Sequence, residues 1–293
     1  MTKPIAIITG AASGIGKATA QLFASSYDLV LGDIATQKLK ELALQLRQQG
    51  SVVYTQECDM SNATQIQSLD DSAIRNGKIG AVLNSAGVAQ HQAEPQKIYA
   101  INLTGTALLL EALTPHMADG ATAVCVSSML SHFPVCQMAT GFYAILENPL
   151  SPSFYADLEA FTEQYQPFIP DNAYGLSKLD VRLLARKYAA MWGSNNARVV
   201  SLSPGMIHTP MSAFEASQPG VQENMDRLLT ITPLGRFGQP EEIASAVQLL
   251  CSREASFISG VDLLVDGGLT HQALKLFPEG RFNSAPPLTG VDP

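Results

Sequence analysis

Ile5-Ala6-Ile7-Ile8-Thr9-Gly10-Ala11-Ala12-Ser13-Gly14-Ile15-Gly16 decides how this chain folds. A run apolar at nearly every position, up to Thr9, reads as a strand buried on both faces, the mark of a parallel sheet covered by helices. The turn that follows is rich in glycine and leads into a helical pattern over 16–25. Such a turn brings backbone N–H groups and a helix N-terminus up to a diphosphate, and glycine permits the close approach. Its spacing is Gly-x-x-x-Gly-x-Gly, distinct from the Gly-x-Gly-x-x-Gly of the broader dinucleotide fingerprint.

Outward from this stretch, short apolar runs recur at 29–32, 52–58, 81–84, 121–127, 199–203 and 263–265. Segments of helical length and pattern lie between them at 36–49, 103–117, 174–192 and 241–251. The order is one of repeated βα units, which predicts an α/β fold: one doubly wound domain of about seven parallel strands flanked by helices, over 1–270. Two additions interrupt or follow it. The stretch 129–173 holds Glu147, Asp157, Glu159, Glu163 and Asp171 but no Lys or Arg. Phe154, Leu158, Phe161 and Tyr165 recur in it at helical spacing behind Ser153, a candidate N-cap. The tail after Gly268 carries Pro286-Pro287 and Pro293 and is expected to be extended or mobile, with 271–293 outside the domain.

Composition narrows the partners. Of 293 residues, 46% are apolar and 15% charged, enough for a full core. A net charge of -8 with no dense run of Lys or Arg argues against nucleic acid or an anionic membrane as partner. Cys58, Cys125, Cys136 and Cys251 are scattered without metal or redox spacing and read as buried reduced thiols. The histidines form no metal-ligand cluster, so no metal is expected, and His208 reads as loop surface. The N-terminal apolar stretch is too short for a signal peptide, and no run reaches the ~18 to 20 apolar residues of a span. A cytoplasmic protein is expected.

Three residues carry chemistry. A helix would place Tyr174 and Lys178 one turn apart on a shared face. A phenol titrates near ~10, and a neighbouring cation favours its anion; lowering it by roughly three units takes about 4 kcal/mol. One ammonium in a partly dehydrated cleft, helped by a cationic cofactor, could supply most of that. Tyr174 is then a candidate general acid/base. Asp33 ends the second run, where its carboxylate can accept from a ribose 2′-hydroxyl and would repel a 2′-phosphate; Ile34 and Ser13 supply no cation to hold one. NAD is favoured over NADP, with Lys17 as the cation that could reach a phosphate.

The glycine loop is joined by Asp59 after the third run, Asn84-Ser85-Ala86-Gly87 after the fourth, and Tyr174-x-x-x-Lys178. With these the chain resembles the short-chain dehydrogenase/reductase family over about residues 3–268. Asn102 in Ile101-Asn102-Leu103-Thr104-Gly105, Ser127-Ser128, Pro204-Gly205 and Thr209-Pro210 also fall where that family has functional segments. The resemblance implies a Rossmann fold, a nicotinamide cofactor and a tetrad of Asn102, Ser128, Tyr174 and Lys178. In it Ser128 bonds the substrate oxygen and Tyr174 passes the proton. Lys178 lowers the phenol pKa and holds the nicotinamide ribose, while Asn102 anchors a water leading from Lys178 to solvent. Cofactor contacts are implied for Gly10, Ser13, Gly14, Ile15, Gly16, Asp33, Asp59, Met60, Ala86, Gly87, Tyr174, Lys178, Pro204, Gly205 and Ile207. Asn84 either lines the cofactor floor or ties adjacent strands; Thr209 either meets the carboxamide or caps the helix that follows. Ser85 stands where the family more usually has asparagine. Ser127 and Ser128 are both hydroxyls at a strand end, and alternation sends them to opposite faces; the family pattern favours the second.

From Ser128 to Tyr174 there are 45 intervening residues, far more than is usual in the family. With the shortened stretch from Gly87 to Asn102 and the run Ala189-Ala190-Met191-Trp192-Gly193, this is most similar to the bacterial 3α-hydroxysteroid dehydrogenase/carbonyl reductase branch. The activity implied is NAD-dependent interconversion of a secondary alcohol and its ketone, on a hydroxysteroid or similar hydrophobic cyclic substrate. Phe142, Tyr143, Phe154 and Phe161 either line an apolar pocket or pin the insertion to the body. By crowding the helix from Tyr174, the insertion favours a homodimer through the last helix and strand over a tetramer. The alternatives are a 3-oxoacyl-type ketoreductase or other carbonyl reductase, and a non-catalytic dinucleotide-sensing protein. The ketoreductase calls for NADP and a basic docking patch, and the sensor has no use for a proton relay.

Overall fold

The computed structural model describes residues 3–133, 140–164 and 173–277. Its strands are Ile5–Thr9 (β1), Asp28–Asp33 (β2), Val53–Glu57 (β3), Ile79–Asn84 (β4), Met117–Val126 (β5), Arg198–Pro204 (β6) and Asp262–Val265 (β7). They form one seven-stranded sheet in the order β3-β2-β1-β4-β5-β6-β7, parallel throughout. The helices are Gly14–Phe23 (α1), Thr36–Gln48 (α2), Ala63–Asn76 (α3), Pro95–Tyr99 (α4), Gly105–Leu113 (α5), Thr140–Leu146 (α6), Phe154–Gln164 (α7) and Ala173–Trp192 (α8). Pro210–Ala216 (α9), Val221–Ile231 (α10), Pro240–Cys251 (α11) and Leu269–Leu276 (α12) complete them.

β1 explains the layering. All five of its residues are buried. Ile5 and Ile7 face one core with Val30, Leu69 of α3, Leu110 of α5 and Leu179 of α8. Ala6 and Ile8 face the other with Leu29, Phe23 of α1, Leu42 of α2 and Val247 of α11. Each fully buried isoleucine contributes about 1.5–3 kcal/mol. The chain winds outward from β1 in both directions, so a crevice opens where β1 and β4 part at their carboxyl ends, the usual ligand position in such a sheet.

Every expected strand is present, with shifted ends. β5 begins at Met117, where the helical pattern was expected to finish, because Pro115 cannot continue a helix from Leu113. That helix also starts earlier, at Pro95, and passes through a π-helical turn at Ala100–Thr104 before α5. α3 was not anticipated, although Asn62 caps it by accepting from the N–H groups of Thr64 and Gln65. The segment after Gly268 is not extended at its start: Leu269 and Ala273 of α12 pack with Met129, Phe133 and Ile231. Pro286-Pro287 and Pro293 lie outside the described residues, as do Cys136, Tyr165 and Asp171.

The insertion lies on α8. Phe154 and Leu158 are buried in the same core as Leu176 and Leu179, and Tyr143 and Phe161 pack against it. Lys187 on α8 donates to the Glu147 carbonyl (2.9 Å) and Tyr155 bonds Thr104 (3.0 Å), tying down the middle of the insertion. Phe142 lies outside the described side chains. On α3, Asp70 is fully buried, with no hydrogen-bond partner for its carboxyl oxygens among the described residues. Burial pushes its pKa up to about 8, helped by Asp71.

Candidate active site

A cavity of about 830 Å³ runs along the carboxyl ends of the strands, from Asp33 past Tyr174 to Leu228. Its floor is the loop after β1. Gly10 sits at φ +67°, and a Cβ there would come within 2.8 Å of the Ala86 backbone. A Cβ on Gly16 would run into the Gly10 carbonyl oxygen. Both glycines are therefore dictated by close approach, which lets α1 begin at the cavity wall. Ser13, Gly14 and Ile15 line the cavity, the Ser13 side chain makes no capping bond, and no acidic residue occupies the first turn. The N-terminal N–H groups of α1 are thus open to an anion.

Tyr174 and Lys178 fall one turn apart on α8, with the Lys178 ammonium 5.8 Å from the Tyr174 ring centroid. The Ser128 hydroxyl hydrogen-bonds the Tyr174 phenol, and both residues line the cavity. The alternation at this strand end separates the two serines. The Ser127 hydroxyl donates to the Lys178 carbonyl (2.7 Å), and Ser128 accepts from the Leu130 N–H (3.2 Å) while meeting Tyr174. Lys178 donates to the Val126 carbonyl (2.9 Å), and burial pulls its pKa down to about 8. Here one expectation is corrected: Tyr174 is held above the ordinary phenol range. Burial is the main cause and Glu215 adds to it, while the Ser128 hydrogen bond works against them. At this half-buried position on the cavity wall, the desolvation of a phenolate prevails.

Asn102 sits in the π-helical turn, buried and off the cavity surface. Its side chain accepts from the Val88 N–H (2.9 Å) and donates to the Val88 carbonyl (3.0 Å) and to Ser177 Oγ (3.1 Å). Ser177 in turn donates to the Tyr174 carbonyl (2.8 Å). Asn102 therefore joins the loop after β4 to the first turn of α8, a positioning link that spacing alone did not show. The Tyr174 N–H donates to Gln90 Oε1 (3.1 Å), a second link of the same kind.

The other expected positions divide. Asp33, Asp59, Met60, Ala86, Gly87, Pro204, Gly205, Ile207 and Thr209 all line the cavity. Asp33 accepts from the N–H groups of Ala12 (2.9 Å) and Ala35 (2.8 Å), which fixes its carboxylate at the wall beside Ile34. Asp59 is held by Ser61 and by Lys97 (3.2 Å). Against the upward push of burial, these partners keep its carboxyl below the usual range. Asn84 does not reach the cavity: it accepts from Thr9 Oγ1 and donates to Thr106 Oγ1 (both 2.7 Å), so it ties β1 to β4 and α5. Thr209 caps α9 by accepting from the Ser212 N–H (3.1 Å) while lining the cavity as well. Lys17 is exposed and off the cavity surface. These residues fit a nicotinamide dinucleotide, with an anion cradle at α1, acceptors at the ends of β2 and β3, and an acid/base pair beyond. Among the described residues no group of three His, Cys, Asp or Glu is placed to hold a metal ion.

Tyr143, Phe154 and Phe161 do not line the cavity, which corrects the pocket reading for these three: they pack into the core shared with α8. The wall beyond Tyr174 comes from the first residues of the insertion, Met129, Leu130 and Phe133, and from Met206, Met211, Val221, Met225 and Leu228. Val221, Met225 and Leu228 stand at i, i+4 and i+7 of α10, a stripe readable from sequence once that helix is recognised.

A profile described as short chain dehydrogenase matches residues 4–142, and one described as enoyl-(acyl carrier protein) reductase matches 161–270. A D-threitol dehydrogenase of Mycolicibacterium smegmatis is 30% identical over 275 residues, covering 91% of this chain and 92% of that one. The chain belongs to the short-chain dehydrogenase/reductase family. Short-chain dehydrogenase/reductase bsc3 of Alternaria brassicicola is 29% identical, over 92% of this chain and 96% of its own. The crystal structure of a 3-alpha-hydroxysteroid dehydrogenase from Pseudomonas sp. B-0831, complexed with NADH, superposes with a TM-score of 0.74 at 26% identity. That match spans 94% of this chain and 99% of the Pseudomonas one. Within this short-chain dehydrogenase/reductase, the stretch 143–160 between the two profile matches belongs to the insertion over α8.

Proposed function

We propose that the protein is an NAD-dependent oxidoreductase interconverting a secondary alcohol and its ketone, with hydrophobic cyclic compounds, hydroxysteroids among them, as the substrate class. The hydrogen-bonded Ser128–Tyr174 pair facing a wall of methionine, leucine and phenylalanine side chains carries this reading. A bound nicotinamide supplies or accepts the hydride at the carbinol carbon. Tyr174 gives a proton to the carbonyl oxygen in reduction and takes the hydroxyl proton in oxidation, and Ser128 holds that oxygen. Lys178 supplies positive charge one turn away. Asn102 and Gln90 keep the first turn of α8 in place for this transfer.

The Asp33 carboxylate supports NAD over NADP, since each of its oxygens retains acceptor capacity for a ribose hydroxyl. A steroid, alicyclic and short-chain alcohol panel, followed by absorbance of the reduced cofactor with each dinucleotide, tests both parts. NAD is expected to exceed NADP by about tenfold or more in kcat/KM, the ratio that ~1.4 kcal/mol of repulsion gives. Equal or better turnover with NADP overturns the cofactor assignment, and no turnover of any cyclic alcohol overturns the substrate class.

A homodimer through α11 and the edge strand β7 fits the surface. Phe257 is fully exposed, and Leu249 and Val261 are exposed near it. Light scattering is expected to give a dimer, and Phe257→Asp to weaken it by about tenfold or more, as loss of ~1.4 kcal/mol or more would. A stable tetramer, or a dimer indifferent to that change, points to another face. Buried free thiols at Cys58 and Cys125 support a reducing, cytoplasmic setting. Among the described residues, no helix is long and apolar enough to cross a membrane.

A further inference from the structure

Glu215, at the end of α9, is out of place in the wall it helps to form. The other carboxylates lining the cavity, Asp33 and Asp59, stand at the ends of β2 and β3, whereas Glu215 comes from α9, which also contributes Met211 to the apolar wall. A carboxylate taken out of water must be paired. His91 pairs it, its N–H at 3.1 Å and its Nδ1 at 2.7 Å from the two oxygens, and the Glu215 side chain stays 14% exposed. A carboxylate has about four acceptor sites. The His91 ring nitrogen takes one and the backbone N–H another, which leaves acceptor sites for a ligand.

The negative charge of Glu215 works against the chemistry proposed for the site, since an anion near Tyr174 disfavours the phenolate. A substrate bringing a positive charge between the two would cancel the penalty. Some of the neighbouring polar groups are already bonded within the fold. Gln90 Oε1 accepts from the Tyr174 N–H and Gln92 Oε1 from the Ala89 N–H (2.8 Å), and Ser212 Oγ donates to the Thr209 carbonyl (3.0 Å). Phe237 offers an aromatic ring in the same cavity, a surface compatible with an alkylammonium.

We propose that Glu215 is a specificity-determining residue that selects apolar cyclic ketones and alcohols carrying an ammonium group, with the ammonium on Glu215 and the reacting oxygen at Ser128 and Tyr174. This rests on the alcohol/ketone reading of the cavity. N-methyl-4-piperidone and 4-methylcyclohexanone are near-isosteric, one a protonatable amine and the other neutral. The wild type is expected to prefer the amino ketone by about tenfold or more in kcat/KM, chiefly through KM, and Glu215→Gln to reduce that ratio to near one. Glu215→Asp, which keeps the charge, is expected to keep a ratio above that of Glu215→Gln. A wild-type preference for the neutral ketone, or equal ratios in the three proteins, overturns the proposal. If neither ketone is turned over and the alcohol panel fails as well, the alcohol/ketone reading falls by itself. Calorimetry of the two compounds against the NAD-loaded wild type and Glu215→Gln then decides recognition alone: tighter, Glu215-dependent binding of the amine supports it, and equal binding overturns it.

Discussion

Tyr174→Phe is expected to lower kcat/KM by two to four orders of magnitude, the usual size of a positioned acid/base contribution, while NAD binds within about twofold of the wild type. The phenyl ring refills the same volume, so the loss is confined to one hydroxyl and its bond to Ser128. Lys178 keeps its bond to the Val126 carbonyl, and Asn102 keeps its bond to Ser177, so the cofactor side of the cleft is undisturbed. Because burial holds Tyr174 above the ordinary phenol range, the group is protonated at neutral pH and serves as the acid for ketone reduction. Alcohol oxidation needs the phenolate and is expected to rise with pH, while reduction falls at the alkaline end. Stopped-flow absorbance of the reduced cofactor in both directions reads these limbs. A variant that turns over at the wild-type rate removes Tyr174 from the mechanism.

The readable part of this protein is the part written in consecutive residues. Ile5 to Gly16 contains strand, turn and helix start in one stretch, and the structure reproduces all three because burial on both faces and close glycine packing leave little choice. Tyr174 and Lys178 are likewise local, being one helical turn apart. What spacing could not show is how solvation decides the sign of a pKa. The ammonium is where it was expected, yet burial, with the charge of Glu215 added to it, prevails. Asn84 shows a second limit, since Thr9 and Thr106, which hold it off the cavity, come from distant parts of the chain. The insertion shows a third. Tyr143, Phe154 and Phe161 have the composition of a pocket, but a face of α8 was available for them to cover, and helix packing claimed them.

Asp262→Ala is expected to have the largest effect on stability. From β7 its Oδ1 accepts from Ser201 (2.5 Å) and Ser203 (3.0 Å) on β6. Its Oδ2 meets His132 Nε2 (2.8 Å) and lies 3.7 Å from the Arg182 guanidinium of α8. Arg182 donates to the Ser131 carbonyl (2.9 Å), so one buried carboxylate joins the edge strand, α8 and the short turn that follows Ser128. Removing one member of a buried ion pair costs about 3–5 kcal/mol, here at the lower end because Arg182 keeps Ser131. For a chain of this size that lowers the melting temperature by roughly 6–15 °C. Although burial pushes the other way, bonds from His132, Ser201 and Ser203 with the charge of Arg182 hold Asp262 below the usual carboxylate range. A depressed carboxyl pKa gives stability that is present above the ordinary carboxyl range and lost as pH falls through the lowered value. Asp70 acts in the opposite sense. With its pKa up to about 8, the folded chain binds the extra proton, and stability declines as pH rises from the ordinary carboxyl range to about 8. Denaturant melts across pH are therefore expected to show a rise on acidification from pH 8, due to Asp70 and to the buried Asp180 of α8, whose carboxyl pKa burial also raises, then a fall below the ordinary carboxyl range as Asp262 protonates. Asp262→Asn keeps the shape but not the charge, so it is expected to flatten the acid fall and leave the alkaline slope in place. An acid slope unchanged in that variant would show that the network's contribution lies in its hydrogen bonds to Ser201 and Ser203 rather than in its charge.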